Sequence, residues 1–271
     1  MNPLVILKLT AYTAADELRG KGFAVLTALS ITALIFIRGC FSGDVTINGE
    51  KQSAAELGWH LSFFAYHLIS VIGMLMAVLV SMRLFKHDES AGSAVNILSG
   101  PVSRAEYITG KAAGVWVLSS LFMVTLHFTV YLIVLTSVNG TVPGFMTASL
   151  ITTLNVLVVT LAVLAFSMVA SDIAAALLAI IMLSVSFISD TANVVFSSGA
   201  MRQLMPLAAD AQTMALWREL WPKIGNLQYG AVSMMQNGQT DKLISSALNL
   251  SVYVLLFALL LEWKFRRMEI R

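Results

Sequence analysis

Six long apolar runs constrain this chain more than any other feature: Gly22 to Phe41, Trp59 to Phe85, Ala112 to Val138, Phe145 to Ala170, Ile173 to Phe196 and Leu243 to Trp263. A helix needs about 20 predominantly apolar residues to cross the hydrocarbon core of a bilayer, and every run meets that length. Composition points the same way, with 58% hydrophobic residues, 12% charged and a mean hydropathy of +0.81. The expectation is an all-α polytopic membrane protein, residues 1–271 forming a single transmembrane domain of six spanning helices. Residues 1–21, with Asp16, Glu17, Arg19 and Lys21, form a polar segment ahead of the first run. No small-residue cleavage site of signal-peptide type follows that run, so it is expected to stay as an anchor. Cys40 is the single cysteine, which argues against an internal disulfide or a thiolate metal site. A net charge of +2 is too thinly spread for nucleic acid.

An even number of spans puts both chain ends on one side, and basic loops resist translocation. With cytoplasmic termini, that side holds eleven basic residues: Lys8, Arg19, Lys21, Arg83, Lys86, Arg104, Lys111, Lys264, Arg266, Arg267 and Arg271. The opposite side holds six: Arg38, Lys51, Arg202, Arg218, Lys223 and Lys242. The imbalance predicts a multi-pass protein of the cell's inner (plasma) membrane with both termini cytoplasmic. The outer loops are then a polar stretch from Ser42 to Gly58, a tight turn from Asn139 to Gly144, and a segment over 197–242. Pro206, Trp217, Trp221 and Pro222 make that last segment apolar and aromatic enough to lie along the membrane interface.

The long inner connection, 86–111, is built for more than joining two helices. In "HDESAGSAVNILSGPVSRAEYITGK", Asp88 and Glu89 place negative charge where a helix N-terminus favours it, and Ser99-Gly100-Pro101 stops the run. Ser103 followed three residues later by Glu106 is a capping box, starting a second helix that continues into the third span. These signals predict a folded knob at the membrane surface. "TGKAAG" at 109–114 resembles the tail of a phosphate-binding loop, but Ala105 and Ala112 stand where that loop needs Gly and Ser or Thr. The chain is therefore not expected to hydrolyse ATP itself.

These residues resemble the permease subunits of type-2 ATP-binding-cassette (ABC) transporters. That family carries a Glu-x-x-Gly-Thr, Leu-Leu-Ser-x-Pro-x-Ser-Arg, Tyr, Gly-Lys pattern between spans two and three. Here it reads Glu89, Gly92 and Ser93, then Ile97, Leu98, Ser99, Pro101, Ser103, Arg104, Tyr107, Gly110 and Lys111, with Ser93 replacing the usual Thr. The family's N-terminal elbow looks like Glu17 and Arg19 in "AADELRGKGF". Size and separate-chain layout are similar to the permease of the nitrous oxide reductase maturation transporter. The resemblance implies an exporter in which separate ATPase subunits bind ATP and Mg and this chain carries no cofactor. It pairs with a second copy of itself or a homologous permease, among membrane lipids, and a periplasmic partner is compatible with a mechanical role. The knob becomes the coupling helix, with Leu98, Pro101, Arg104, Glu106 and Tyr107 as its contacts to the ATPase.

Ionisable groups inside the spans each ask for a partner or a wet cavity. Arg38, His67, His127 and Asp190 fall in the outer portions of their helices, and His67 and His127 lie at depths where they could meet. One reading has the histidines neutral on neighbouring carbonyls and Asp190 paired with Arg38 as packing. The rival function is an intramembrane hydrolase or transferase built on His67, His127 and Asp190. It leaves the knob without a task, and no nucleophile stands at a recognisable spacing. The Gly110, Gly114 pair and "DIAAALLAI" permit close helix packing. The 14 Met residues are scattered lipid-compatible fillers, and no metal site is expected.

Overall fold

A computed structural model of the protein describes residues 2–40, 46–47, 50–51, 54–85, 88, 93–137, 142–197 and 220–267. Nine helices are defined among these residues. They are α1 (Pro3–Leu18), α2 (Lys21–Cys40), α3 (Ala54–Ser81), α4 (Ser93–Leu98), α5 (Arg104–Ser137), α6 (Phe145–Ser167), α7 (Asp172–Ser197), α8 (Ile224–Asn237) and α9 (Asp241–Arg266). A two-residue antiparallel ladder between β1 (Thr46–Ile47) and β2 (Glu50–Lys51), with Thr46 opposite Lys51, interrupts the helical order after α2. Among the described residues, five helices are long and apolar enough to cross a membrane: α3, α5, α6, α7 and α9. α2 is 20 residues long and carries a shorter apolar stretch, Phe23–Thr32.

Local chemistry explains where the helices begin and stop. The Asn2 side chain accepts the Leu4 amide at 3.1 Å and Pro3 opens α1, so the lost proline N–H falls where no helical partner exists. Gly238, at φ 68°, ends α8 in the left-handed region and returns its N–H to Met234 O at 3.0 Å, which turns the chain into α9 within three residues.

α6 is the central post, touching α3, α5, α7, α8 and α9. Val156, Val158, Val159, Ala162, Val163 and Leu164 are fully buried along it, as expected of a helix that is apolar on every side. α1 runs in the same direction as α5, beside its first turns. The glycines at 110 and 114 make this contact: a Cβ at Gly110 would stand 2.5 Å from Leu9 Cβ, and one at Gly114 would stand 2.6 Å from Thr13 Cβ. The small-residue spacing therefore packs α1 rather than a neighbouring span. On its outward side α1 shows Leu4, Leu7 and Leu18, a stripe at helical spacing.

Asn2 and the end of α9 lie at one end of the bundle, here called the base. The Asn2 backbone N–H donates to Glu106, and Arg104 donates to Phe265 O at 3.3 Å and Arg266 O at 3.0 Å. α5, with 34 residues, is about 51 Å long, well beyond a hydrocarbon core of about 30 Å. Its first turns thus belong to the boundary where α1, α4 and the end of α9 gather.

The segment expected along the interface behaves differently over its described part. α8 enters the bundle instead of lying on it. Its first turn meets Asn155 of α6, Ser186 of α7 and Asn249 of α9. Those positions are about 15, 16 and 12 Å from the opposite end of the bundle along their own helices, at 1.5 Å per residue. The N-terminus of α8 thus sits close to mid-height of the bundle. Polar capping groups on three neighbouring helices make that placement affordable, because backbone that ends inside a membrane must be satisfied by protein.

Candidate functional site

Two polar clusters stand out, one at the base and one at mid-depth. The base cluster begins with the capping box the sequence predicted. Ser103 Oγ accepts the Glu106 amide at 3.2 Å, and Glu106 Oε2 accepts the Ser103 amide at 2.9 Å. The second Glu106 oxygen accepts the Asn2 amide, so one carboxylate ties the start of α5 to the start of α1. Behind it, Lys111 and Asp88 form an ion pair of 2.7 and 2.9 Å, with both residues at most 3% exposed. The Tyr107 hydroxyl donates to the same carboxylate, and the Lys111 ammonium lies 5.7 Å from the Tyr12 ring centre and 5.9 Å from that of Tyr107. The Asp88 carboxylate clamps the chain following α3 onto α5. The lysine that imitates a phosphate loop is consumed by this pair.

Arg104 has an internal duty that sequence spacing did not show. Its guanidinium satisfies the last carbonyls of α9, where the helix dipole favours a cation. Pro101, Ser103 and Arg104 are exposed, Leu98 is half-buried, and Glu106 and Tyr107 point inward at 6% and 1% exposure. Pro101 and Arg104 are therefore placed to be touched from outside, while Glu106 and Tyr107 hold the shape of what is touched. Glu89 and Gly92 lie outside the described residues. Glu17 is half-buried and Arg19 exposed, at the end of α1.

The mid-depth cluster forms a collar around the first turns of α8. Ser186 Oγ donates to Pro222 O at 2.5 Å and accepts the Ile224 amide at 3.1 Å. Asp190 Oδ2 accepts the Asn226 amide at 2.8 Å, and Gly225 leaves it room, since a Cβ there would lie 2.9 Å from Asp190 Cβ. Asn249 Oδ1 accepts the Lys223 amide, and Asn155 Nδ2 donates to Ile224 O, both at 3.0 Å. A carboxylate at a helix N-terminus is electrostatically favoured, and here it also replaces water for a free amide.

The two histidines flank this collar by different routes. His67 Nδ1 lies 3.2 Å from Gln228 Oε1, which accepts, and its ring is 5.2 Å from that of Tyr229. His127 is fully buried, with Nε2 donating to Tyr66 O at 3.2 Å; in the neutral ring this leaves Nδ1 to accept from Ser149 Oγ at 2.7 Å. Tyr66 stacks on it at 4.9 Å; its hydroxyl donates to Ala148 O at 3.1 Å and is also hydrogen-bonded to the Thr152 hydroxyl. Both His127 nitrogens are thus occupied by helix-to-helix bonds, which suits packing and gives no free base. Asp190 is engaged by α8; the side chain of Arg38, proposed as its partner, lies outside the described residues.

A family model for ABC-2 family transporter protein matches residues 18–193, which include Asp88, Ser103, Arg104, Glu106, Tyr107 and Lys111 of the base, the knob and most of the bundle. The chain belongs to the ABC-2 transporter family. Membership makes it a multi-pass membrane permease, in a family whose ATPase activity resides in a partner subunit. Comparison with curated proteins gives no match. The matched range stops short of α8 and α9, so the helix that the collar holds lies outside it.

Proposed function

We propose that this ABC-2 permease is the membrane half of an ATP-driven exporter or extruder, coupling ATP hydrolysis by separate ATPase subunits to movement across the membrane. Six spans, α2 being the first, place both termini, α1 as the elbow and α4 as the coupling helix on the cytoplasmic side of the inner membrane. The permease works as a pair, with a second copy or a homologous chain, and the layout similar to the permease of nitrous oxide reductase maturation leaves room for a periplasmic partner.

One observation carries this reading: the knob is rigidly rooted. Capping box, buried ion pair and Arg104 connect it to α1, α5 and α9 together, so a push on Pro101 or Arg104 reaches three helices rather than bending a loop. The intramembrane enzyme has no such support, because His127 is fully bonded to packing partners. Copurification with an ABC ATPase, followed by ATPase assay in lipid, is the direct test. Arg104→Glu places a negative charge on the exposed knob and against the α9 C-terminus, so the yield of complex should fall at least severalfold while the permease still enters the membrane. Normal assembly of that variant would remove the knob as the docking point.

A further inference from the structure

A groove beside the knob adjoins Arg104, which the coupling reading uses, but its walls have no part in that reading. It opens between α5, α6 and α9 with a volume of about 360 Å³, and small side chains create it: Ala105, Ala112 and Ala113 on α5 face Ala258 on α9. Where two apolar helices would otherwise interdigitate, alanines leave a trough. From Ala105 to Trp116, the extent of its α5 wall, the groove runs about 16 Å. Half of a hydrocarbon core of about 30 Å is one leaflet, and the groove is that long.

The rim has a specific charge pattern. Glu262 lines the groove at the base, and Arg266 Nη2 lies 2.5 Å from its Oε1. Arg104, exposed, reaches the Arg266 carbonyl from the opposite wall. Next along α9, Trp263 is 53% exposed with the Arg267 guanidinium 4.4 Å over its ring. An exposed tryptophan at the end of an apolar helix marks headgroup level, so the groove descends from the headgroups into one leaflet.

We propose that this groove holds one aminophospholipid, phosphatidylethanolamine, with an acyl chain along Ala112 and Ala258 and its headgroup on Arg104, Arg266 and Glu262. A phosphate suits the guanidinium forks, and a primary ammonium offers three N–H donors to the carboxylate. A purely anionic headgroup would leave Glu262 facing negative charge, and a choline headgroup has no N–H to give. Because the groove separates the root of the knob from the end of α9, the lipid would brace the two helices that Arg104 joins.

The test uses the purified full chain and native mass spectrometry, with dioleoyl phosphatidylethanolamine, phosphatidylcholine and phosphatidylglycerol offered in turn. One phosphatidylethanolamine per chain should be retained about fivefold or more over the other two, the factor expected for one charged contact at the membrane surface. Glu262→Gln should erase the preference over phosphatidylcholine. Ala258→Phe should lower retention of all three by filling the trough. Ile244→Phe, at the far end of α9, should change nothing, and each variant is first matched to wild type by gel-filtration profile. Equal retention of the three lipids, a stronger hold on phosphatidylglycerol, or a preference that survives both Glu262→Gln and Ala258→Phe overturns the proposal. So does an Ala258→Phe variant that loses a dimer while keeping its lipid, which would make the groove a contact between copies.

Discussion

At the base, Asp88 and Lys111 meet as full charges beneath Tyr107; around α8, by contrast, the collar is made of amides, hydroxyls and carbonyls, with Asp190 as the carboxylate that accepts an α8 amide. Both clusters hold helices together away from water, yet they fail in different ways when a member is lost. A buried ion pair costs more in desolvation than a neutral hydrogen bond, and removing one partner leaves a naked charge. A collar of hydrogen bonds that loses one neutral member loses only one bond and the solvation of its former partner. Charges sit where the chain must be fixed at the boundary, and the weaker, more numerous bonds sit where a helix has to end inside the bundle. The base is therefore the brittle region and the collar the forgiving one.

The sharpest attempt to break that contrast is Lys111→Met. Asp88 would remain buried without the Lys111 ammonium, and losses of about 3–5 kcal/mol follow when one partner of a buried pair is removed. Thermal unfolding in detergent, read by tryptophan fluorescence, should show a large drop in midpoint. Adding Asp88→Leu to Lys111→Met should recover most of it, because no charge is left to strand. A single variant that melts like wild type would mean that the pair is solvated and the base is not brittle.

Legibility followed the range of the interactions. Long apolar runs mark spans because crossing lipid is a requirement on contiguous sequence, and the capping box was readable because Ser103 and Glu106 are three residues apart. The Asp88–Lys111 pair joins residues 23 apart through a fold, so no local pattern in the sequence connects the helix-end charge of Asp88 with the Lys111 of the Gly-Lys pair. Gly110 and Gly114 announced a close helix contact but not that its partner is α1. α8 was missed for a physical reason: at 14 residues it is too short to read as a span. Its N-terminal backbone is compatible with depth because α7 brings Asp190 to the Asn226 amide, and α3 brings His67 to the Gln228 side-chain oxygen. The usable signal was Gly225 and Gly230, small residues that let α8 approach Asp190 and the start of α9.

The collar's forgiving character is sharpened by Asp190→Asn, an intermediate effect. Asparagine keeps an acceptor for the Asn226 amide but loses the negative charge at the α8 N-terminus, an interaction worth up to about 2 kcal/mol when partly buried. The midpoint should fall by less than half of the Lys111→Met loss. The substitution should also quicken hydrogen exchange at 223–227 more than at 104–111, since the damage stays local. Equal exchange changes in both regions would show that base and collar unfold as one unit, and the contrast between them would collapse.

The smallest expected change is Ser103→Ala, and it separates the base's stability from its use. It removes one cap, worth about 0.5–2 kcal/mol; the Glu106 carboxylate can still hold the Asn2 and Ser103 amides. The ion pair behind it is untouched, so the unfolding midpoint should barely move and assembly with the ATPase should persist. What the lost cap loosens is the first turn of α5, the segment through which a push on Arg104 must pass. In the proposed transporter, ATP hydrolysis by the assembled complex should then continue with less response from the membrane half, seen as a smaller change in ATPase rate when the permease is moved from detergent into lipid. A Ser103→Ala complex with wild-type lipid stimulation would show that the cap is dispensable for coupling. The rigidity of the base would then have to be attributed to the Asp88–Lys111 pair and to the ties that Arg104 and Glu106 make to α9 and α1.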